Sequence, residues 1–440
     1  MKSIRIGTGA GFAGDRIDNA VNLALHGDID YLILEGLAER TTIQAHLERL
    51  SDPQKGYGQF LEERMKTLLP ICKEKNITII TNLGAANPNQ AAKITEEIAE
   101  TLNLQISISI VTQPLLRNVV QNYNPTLWET NEPLSMSRNE FISADAYLGA
   151  EEMLPALHNR PDVVITGRVA DPSLFLAPMI HEFNWKLDDW DLLGKGTVIG
   201  HLLECGAQVT GGYFADGVTK QVNQLATVGM PIAEISSNGE ATISKTPNSG
   251  GEVSIRTCKE QLLYEVMDPA TYLTPDVCAD FSQVTFTEVA KDIIKVDGAT
   301  GRKRPDDFKL TIGIDQGFIG EAMINYVGYA AFERAKLAKS IVVERLLAHG
   351  LETNAIHTEL LGAYQTTHPS EVLLRVAVKS PNYDTVGLVG YEVEALWLNG
   401  PGGPGGVRKS IRPVLSAYSA TIPRSLITNL REDDEHDTTL

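Results

Sequence analysis

The sequence predicts an α/β fold: a mostly parallel, Rossmann-like layered sheet in the N-terminal part, followed by an α+β C-terminal part. Three observations carry this expectation. Strand-like and helix-like segments alternate over the first half of the chain. The strands there are short, nearly continuous apolar runs, as in sheets covered on both faces. Further on, the pattern changes to alternating runs broken by Gly, Pro and Asn, which read as strands and hairpins. The expected division is residues 1–225 for the α/β part and 226–440 for the α+β part, with the change of character falling near 215–240.

Taken in order, SIRIGTG (3–9) reads as a buried strand, and Asp15 to His26 shows helical spacing at Ile17, Ala20, Val21, Ala24 and Leu25. DYLILEG (30–36) is a second strand. Helical sequence runs to about Lys75, ahead of ITIITNLG (77–84) and a helix from Asn89 to about Leu102. LQISISIV (104–111) and PDVVITGR (161–168) are the fourth and fifth strands, with helices on either side of the fifth. In the second half, 227–235, 240–247, 282–301 and 307–330 read as short strands and hairpins. Ala331 to His349 is a helix closed by Gly350, 372–380 a strand, and 384–400 a helix ending in glycine. The tail REDDEHDTTL is charged and expected to fray.

Composition narrows the function. The 440 residues carry a net charge of -18 and show no basic cluster, which argues against a nucleic-acid partner. Four scattered cysteines with no CxxC suit a reducing compartment, and the N-terminus enters a strand at once, so the expected location is cytoplasmic. No run approaches the roughly 18 apolar residues of a membrane span. No histidine pair has metal-ligand spacing, so no metal is expected.

Four stretches carry candidate chemistry. In GAGFAGDR, Gly9, Gly11 and Gly14 spell GxGxxG after a strand and before a helix, and Glu35 ends the next strand. That is the arrangement of a dinucleotide loop with its ribose-binding acid. Asp15 at the helix start would compete with a phosphate, so a tight turn that presents Asp15 and Arg16 is the other reading. Ligands of open α/β sheets bind at the carboxyl ends of the strands, where Asp15, Arg16, Glu35 and Asn82 all fall. In ITGRVADPSLF, Arg168 is suited to gripping a carboxylate or phosphate, or to pairing with Asp15 or Asp171. Asp171 stands where an N-cap would, followed by Pro172.

The third stretch is GHLLECGAQVTGGYF. His201 shares a helical face with Cys205, which suggests either a nucleophile–base pair or a packed thiol at a helix end closed by Gly206. His201 and Glu204 form an alternative proton-transfer pair. The glycine loop beyond presents Gln208, Thr210 and Tyr213. The fourth, LNGPGGPGG (398–406), reads as a specific loop, either an anion-binding turn or a rigid connector.

Seven motifs stand in order along the chain: GAGFAGDR, DYLILEGLAERT, TNLGAANP, DVVITGRVADPSLFLAP, HLLECGAQVTGGYF, LLYEVMDPATYLTPDV and LNGPGGPGG. With them the sequence resembles the acyclic terpene utilisation family, from about residue 3 to about residue 428. The resemblance implies catabolism of branched acids through CoA thioesters. Larger relatives carry an additional small C-terminal domain, which implies a separate partner subunit of about 100 residues here. It carries over no catalytic residues.

The expected function is an enzyme of the lyase or hydratase type, acting on a carboxylic acid or its CoA thioester and forming a homo-oligomer. Arg168 or Arg16 would hold a carboxylate, and Asp15 or Glu35 would move a proton, with His201 and Glu204 assisting. CoA enters as part of the substrate; NAD is the less favoured cofactor. Two other readings stay open: a nicotinamide- or nucleotide-dependent enzyme built on the glycine loop and Glu35, and a non-catalytic subunit of an acyl-CoA-processing complex.

Overall fold

A computed structural model describes residues 2–137, 140–362 and 370–428. The chain forms two compact units: Met1–Met136 with Ile142–Ile312 and Ala417–Leu440, and Ser137–Phe141 with Gly313–Ser416. The expected boundary near residue 225 falls inside the first unit. The charged tail lies outside the described residues.

The first unit is built on a nine-stranded sheet. Its parallel part uses β1 (Ser3–Gly11), β2 (Tyr31–Glu35), β3 (Thr78–Thr81), β4 (Ile108–Val111) and, beyond β5 (Phe141–Ala146), β6 (Val163–Thr166), in the order β1-β2-β3-β6-β4. β2 and β6 are buried along their whole length, as continuous apolar runs should be. The sheet then continues past the other edge of β1 in antiparallel fashion, through β7 (Pro231–Ser236) and β8 (Ala241–Lys245). A small three-stranded sheet joins β9 (Tyr272–Leu273), β10 (Cys278–Asp280) and β13 (Thr300–Arg302), while β11 (Thr285–Ala290) and β12 (Ile293–Asp297) finish the large sheet beyond β8. The change of character seen in the sequence is thus a change of strand direction within one sheet.

Helices cover both faces. On one, α1 (Ile17–His26), α3 (Leu61–Lys75) and α4 (Pro88–Thr101) place Leu23, Leu68 and Ile98 against Leu32, Leu34, Ile79 and Val163. Each fully buried side chain of this size contributes about 1.5–3 kcal/mol. Between α1 and α3, α2 (Glu39–Ser51) follows β2; α5 (Arg117–Tyr123) follows β4, and the single-turn α6 (Leu154–Leu157) precedes β6. On the opposite face α7 (Ser173–Phe183) packs on β1 and β2, and α8 (Trp190–Glu204) packs on α7, β1 and β7. Helix α9 (Ile255–Leu263) follows, capped by the Ser254 hydroxyl, which accepts from Thr257 N–H. Successive residues of β2 point to opposite faces, so Tyr31, Ile33 and Glu35 turn away from the face that holds Leu32 and Leu34.

A further sheet runs in the order β15-β16-β14-β17, with β14 (Asp307–Val327), β15 (Ile356–Leu361), β16 (Glu371–Ser380) and β17 (Pro404–Pro423); the second unit holds β15, β16, β14 from Gly313 and β17 up to Ser416. Two helices line its core, α10 (Ala331–Ala348) and α11 (Tyr383–Asn399). Val372, Leu374, Val376 and Val378 alternate along β16 to meet Ala335, Val342 and Leu346 of α10 and Val389 and Val393 of α11. The buried positions of α10 recur every three or four residues, the stripe expected of a helix on a sheet. The sequence 307–330, expected as short strands and hairpins, is one strand of 21 residues to Val327. Gly317 takes φ +81° within it without reversing the chain. Strand β17 was not expected, because RKSIRP shows no apolar alternation. LNGPGGPGG is a loop only up to Gly403.

Tyr326 is fully buried in this core, and its hydroxyl has no hydrogen-bond partner among the described residues. An unpaired buried hydroxyl costs about 1–3 kcal/mol. Tyr326→Phe is therefore expected to leave stability unchanged or raise it by about 1 kcal/mol in urea unfolding. A clear loss would show that the hydroxyl has a partner.

Candidate active site

The carboxyl ends of β1, β2, β3 and β6 lie along one edge of the first unit, where open α/β sheets bind ligands. Glu35 ends β2, and its Oε1 accepts from Leu37 N–H at 2.7 Å and from Asn82 Nδ2 at 3.0 Å. Asn82 accepts in turn from Gly36 N–H at 2.8 Å, so the exits of β2 and β3 are tied together. Arg168, just past β6, is only 3% exposed. It donates to Leu37 O at 2.6 Å and to Asp171 Oδ1 at 3.1 Å. Its guanidinium lies 4.2 Å from the centre of the Tyr147 ring. The Tyr147 hydroxyl donates to Glu39 at 2.6 Å, and Lys309 lies 4.5 Å from the same ring.

A second group comes from the end of α8. His201 Nδ1 and Glu204 Oε1 are 2.8 Å apart, and the Tyr272 hydroxyl is 3.4 Å from the same nitrogen. The imidazole packs against Tyr272 and Phe281. Gln261 fixes this turn by donating to His201 O at 3.0 Å. His201 Nε2, Glu204 Oε2 and Arg168 Nε are buried with no partner among the described residues. Unpaired buried polar atoms gathered in one region are the mark of a site rather than of a core.

Electrostatics sets these carboxyls apart. Burial drives Glu35 well above the carboxylate range, and the charge of Asp171 adds to it, against Asn82 and Arg168. Burial also acts upward on Glu39, but the Tyr147 hydroxyl and the charge of Arg168 outweigh it and hold Glu39 down to about 2. Glu204 is pushed up to about 7 by burial, opposed by His201 and reinforced by Asp171. Asp171 is raised by burial against the pull of Arg168; about a third of its side chain reaches solvent, which softens the effect. One region thus holds an ionised acid and protonated or half-protonated acids side by side, which is what acid/base chemistry requires.

The structure brings Glu35, Asn82, Arg168 and Asp171 together, and Asp171 is near enough for its charge to be felt at Glu204 and Cys205. Asp171 does not cap α7. That helix starts at Ser173 without a side-chain cap, and the Asp171 carboxylate accepts from Arg168 instead. Burial, with Glu204 beside it, pushes the Cys205 thiol far up. That disfavours the thiolate a nucleophile needs and suits a packed thiol.

The glycine loop behaves as a tight turn. Asp15 accepts from Gly11 N–H at 3.0 Å and from Arg16 N–H at 2.9 Å. Gly9 faces Leu32, Leu34 and Ala20, and Gly14 faces the Phe12 ring. Gly11 lies against the backbone of Cys205 and Gly206, where a Cβ would collide, so protein fills the space a pyrophosphate would approach. Arg16 is on the surface, paired with Asp18 at 2.6 Å. Thr210 is buried and donates to Gly229 O at 2.6 Å, fastening its loop ahead of β7. Gln208 has a buried amide nitrogen without a partner among the described residues, and the exposed Tyr213 sits edge-on to Tyr264.

Glu39, Tyr147, Tyr272 and Lys309 are the participants that sequence reasoning missed. Glu39 and Tyr272 stand inside DYLILEGLAERT and LLYEVMDPATYLTPDV, so those motifs held a usable signal. Tyr147 and Lys309 are joined by the Tyr147 N–H to Lys309 O bond of 2.9 Å, a pairing no local pattern announces.

Among the described residues no group of three or more His, Cys, Asp or Glu side chains is placed to hold a metal, and no helix is long and apolar enough to cross a membrane. Fold and site define a layered α/β protein with a buried arginine–carboxylate cluster at the ends of its parallel strands. The chain belongs to the acyclic terpene utilisation family: the family described as "Acyclic terpene utilisation family protein AtuA" matches residues 4–431. No curated protein and no solved structure matches it.

Two outcomes follow from the geometry. Arg168→Gln removes the cation from a buried pair and is expected to destabilise the protein by about 3–5 kcal/mol in denaturant unfolding. Arg16→Ala, at the surface, should change stability by no more than about 0.5 kcal/mol. The second outcome concerns pH. The fold favours protonated Glu204, so its contribution to stability is present at low pH and is lost as pH rises from the ordinary value of 4.5 to about 7. Glu204→Gln should therefore gain stability over the wild type at pH 8 but not at pH 4, read from melting temperatures. An equal effect at both pH values would contradict the assignment.

Proposed function

We propose that this site performs acid/base catalysis on a small branched carboxylic acid or its CoA thioester, as a cytoplasmic lyase of the hydro-lyase type. The observation that carries the reading is the separation of carboxyl groups around Arg168, with Glu39 held low and Glu204 and Asp171 raised. The family description points to terpene catabolism, whose branched acids are substrates of this chemical class.

In the proposed reaction Glu204 removes the proton α to the carbonyl of a β-hydroxy acid or thioester. Asp171 protonates the departing β-hydroxyl, which leaves as water, and a carbon–carbon double bond remains. The reverse direction adds water. His201 hydrogen-bonds Glu204 and steadies its charge, while Lys309, about a third exposed, faces the carboxylate or thioester oxygen. Arg168 is too buried to grip a substrate and acts by orienting Asp171. The crowding of Gly11 against Cys205 supports this reading over a nucleotide-dependent one.

The test is α-deuterium incorporation from D₂O into a panel of branched β-hydroxy and α,β-unsaturated acids and their CoA thioesters, followed by mass spectrometry. Glu204→Gln and Asp171→Asn should each slow exchange by about 10²–10⁴-fold, while Arg16→Ala keeps the wild-type rate. Absence of exchange across the panel, or full exchange in Glu204→Gln, would overturn the proposal.

A further inference from the structure

A separate cleft of about 430 Å³ opens in the first unit, past the ends of β3, β4 and β6. Its volume is that of a small-molecule site. His46 and Arg49, three residues apart on one face of α2, form one wall. Ser143 and Asp145 also line it, two residues apart on β5 and so on the same side of that strand. These side chains are distinct from the cluster around Arg168 and Glu204.

The imidazole in this cleft has both its orientation and its proton fixed. Asp145 is buried, and both its oxygens lie 2.9 Å from His46 Nε2. Gln113 donates to the same carboxylate at 3.2 Å and is itself oriented by the Ala146 N–H, which donates to it at 3.0 Å. A carboxylate can only accept, so Nε2 is the nitrogen that carries the ring proton. His46 Nδ1 is then unprotonated and can only accept. About 15% of this side chain stays open to solvent, so the ring is not sealed inside the protein.

Ser143 is the complementary case. Its hydroxyl is buried on the lining with no hydrogen-bond partner among the described residues. Leaving such a group unmatched costs about 1–3 kcal/mol, which a bound ligand would recover. Arg49 spends one of its five donors on Ala86 O at 2.5 Å, and the exposed Asn118 lines the same cleft with an amide. The lining thus offers a pure acceptor at His46, a pure donor at Arg49, and groups that do both at Ser143 and Asn118. A hydroxyl, which itself donates and accepts, can match each of them. They come from α2, from β5 and from the segment after β4, so matching them takes several hydroxyls on one molecule.

Charge selects the same class. The Asp145 carboxylate is held by neutral partners, so an anion in the cleft would meet its negative charge, and a cation would meet Arg49. Arg117, on the same lining, already has a partner of its own. A ligand without net charge avoids both costs.

We infer that this cleft binds a neutral polyhydroxylated small molecule, with one hydroxyl donating to His46 Nδ1 and others meeting Ser143 and Arg49. The inference goes beyond the proposed reaction and does not rest on it.

The test is NMR of the full chain labelled at histidine, at about pH 8, where an ordinary imidazole is neutral. Glycerol, xylose, glucose and myo-inositol are titrated in separate arms, and sodium acetate in a further one. The His46 ring signals are assigned by their loss in His46→Asn. In the free protein the ring should carry its proton on Nε2 alone. A saturable shift of the His46 signals, with the other histidines unmoved, is expected in at least one polyol arm at a Kd of about 10 mM or tighter. Ser143→Ala should keep its melting temperature and weaken that binding about fivefold or more. The wild-type titration decides the matter even where the variant does not fold. A proton on Nδ1 in the free protein, no saturable shift in any polyol arm, a shift with acetate alone, or undiminished affinity in folded Ser143→Ala overturns the inference.

Discussion

The site depends on one buried cation. Taking a guanidinium out of water costs several kcal/mol even after relaxation, and the cost is met only if neighbouring groups replace the lost water. Around Arg168 they do so on several sides: a backbone carbonyl from the β2 exit, the carboxylate of Asp171, and the face of Tyr147. Asp171 is three residues away, but the Leu37 carbonyl and Tyr147 come from other segments, so satisfying the cation also fixes how those loops meet. The same charge then pulls Glu39 down, while Glu35, sunk in the fold with the charge of Asp171 near it, is held up against the pull of Asn82 and Arg168. The placement of Arg168 thus shapes the edge and holds Glu39 down, while burial raises Glu35, Asp171 and Glu204.

Close backbone approach is the second constraint. Gly11 has no room for a side chain because the end of α8 lies against it, and Gly206 sits there at φ +55°, a left-handed conformation suited to glycine. Asp15 closes the turn from the other side through Gly11 N–H, and the buried Arg64 donates to the carbonyls of Ala13 and Asp15. Of the glycines that resemble a nucleotide loop, Gly11 therefore serves contact between β1 and the end of α8, while Gly9 packs against β2 and α1 and Gly14 against the Phe12 ring. Their spacing alone cannot distinguish the two uses, since both require a missing Cβ.

Much of the fold was legible. Continuous apolar runs such as YLILE and VVIT announce strands buried on both faces, and the helices with clear 3.6-residue periodicity, such as α4, α10 and α11, start and stop near their expected bounds. The antiparallel half of the sheet was legible as strands, but not as part of the same sheet, because pairing partners leave no local trace. Strands β14 and β17 escaped for a different reason: glycines and charged residues inside them imitate turns. Within the site, Glu35, Asn82, Arg168 and Asp171 could be expected together because each follows or ends a parallel strand. Their division of labour could not, since it rests on burial and on Tyr147, Lys309 and Glu39 arriving from other segments. Cys205 shows the converse, for a packed thiol at a helix end was one of the two readings open in the sequence, and burial favours it.

The position of β1 has a consequence for how the chain comes off the ribosome. Its first edge is satisfied early, by β2, but its second waits for β7, with Ile6 opposite Ala233. At ordinary synthesis rates of about 5–20 residues per second, the intervening chain takes about 11–45 s to appear. Throughout that interval the nascent protein carries an open, apolar strand edge at its N-terminus, the kind of surface that invites pairing with other chains. The parallel layer is complete in sequence long before it is sealed, and the antiparallel extension is what retires that exposure.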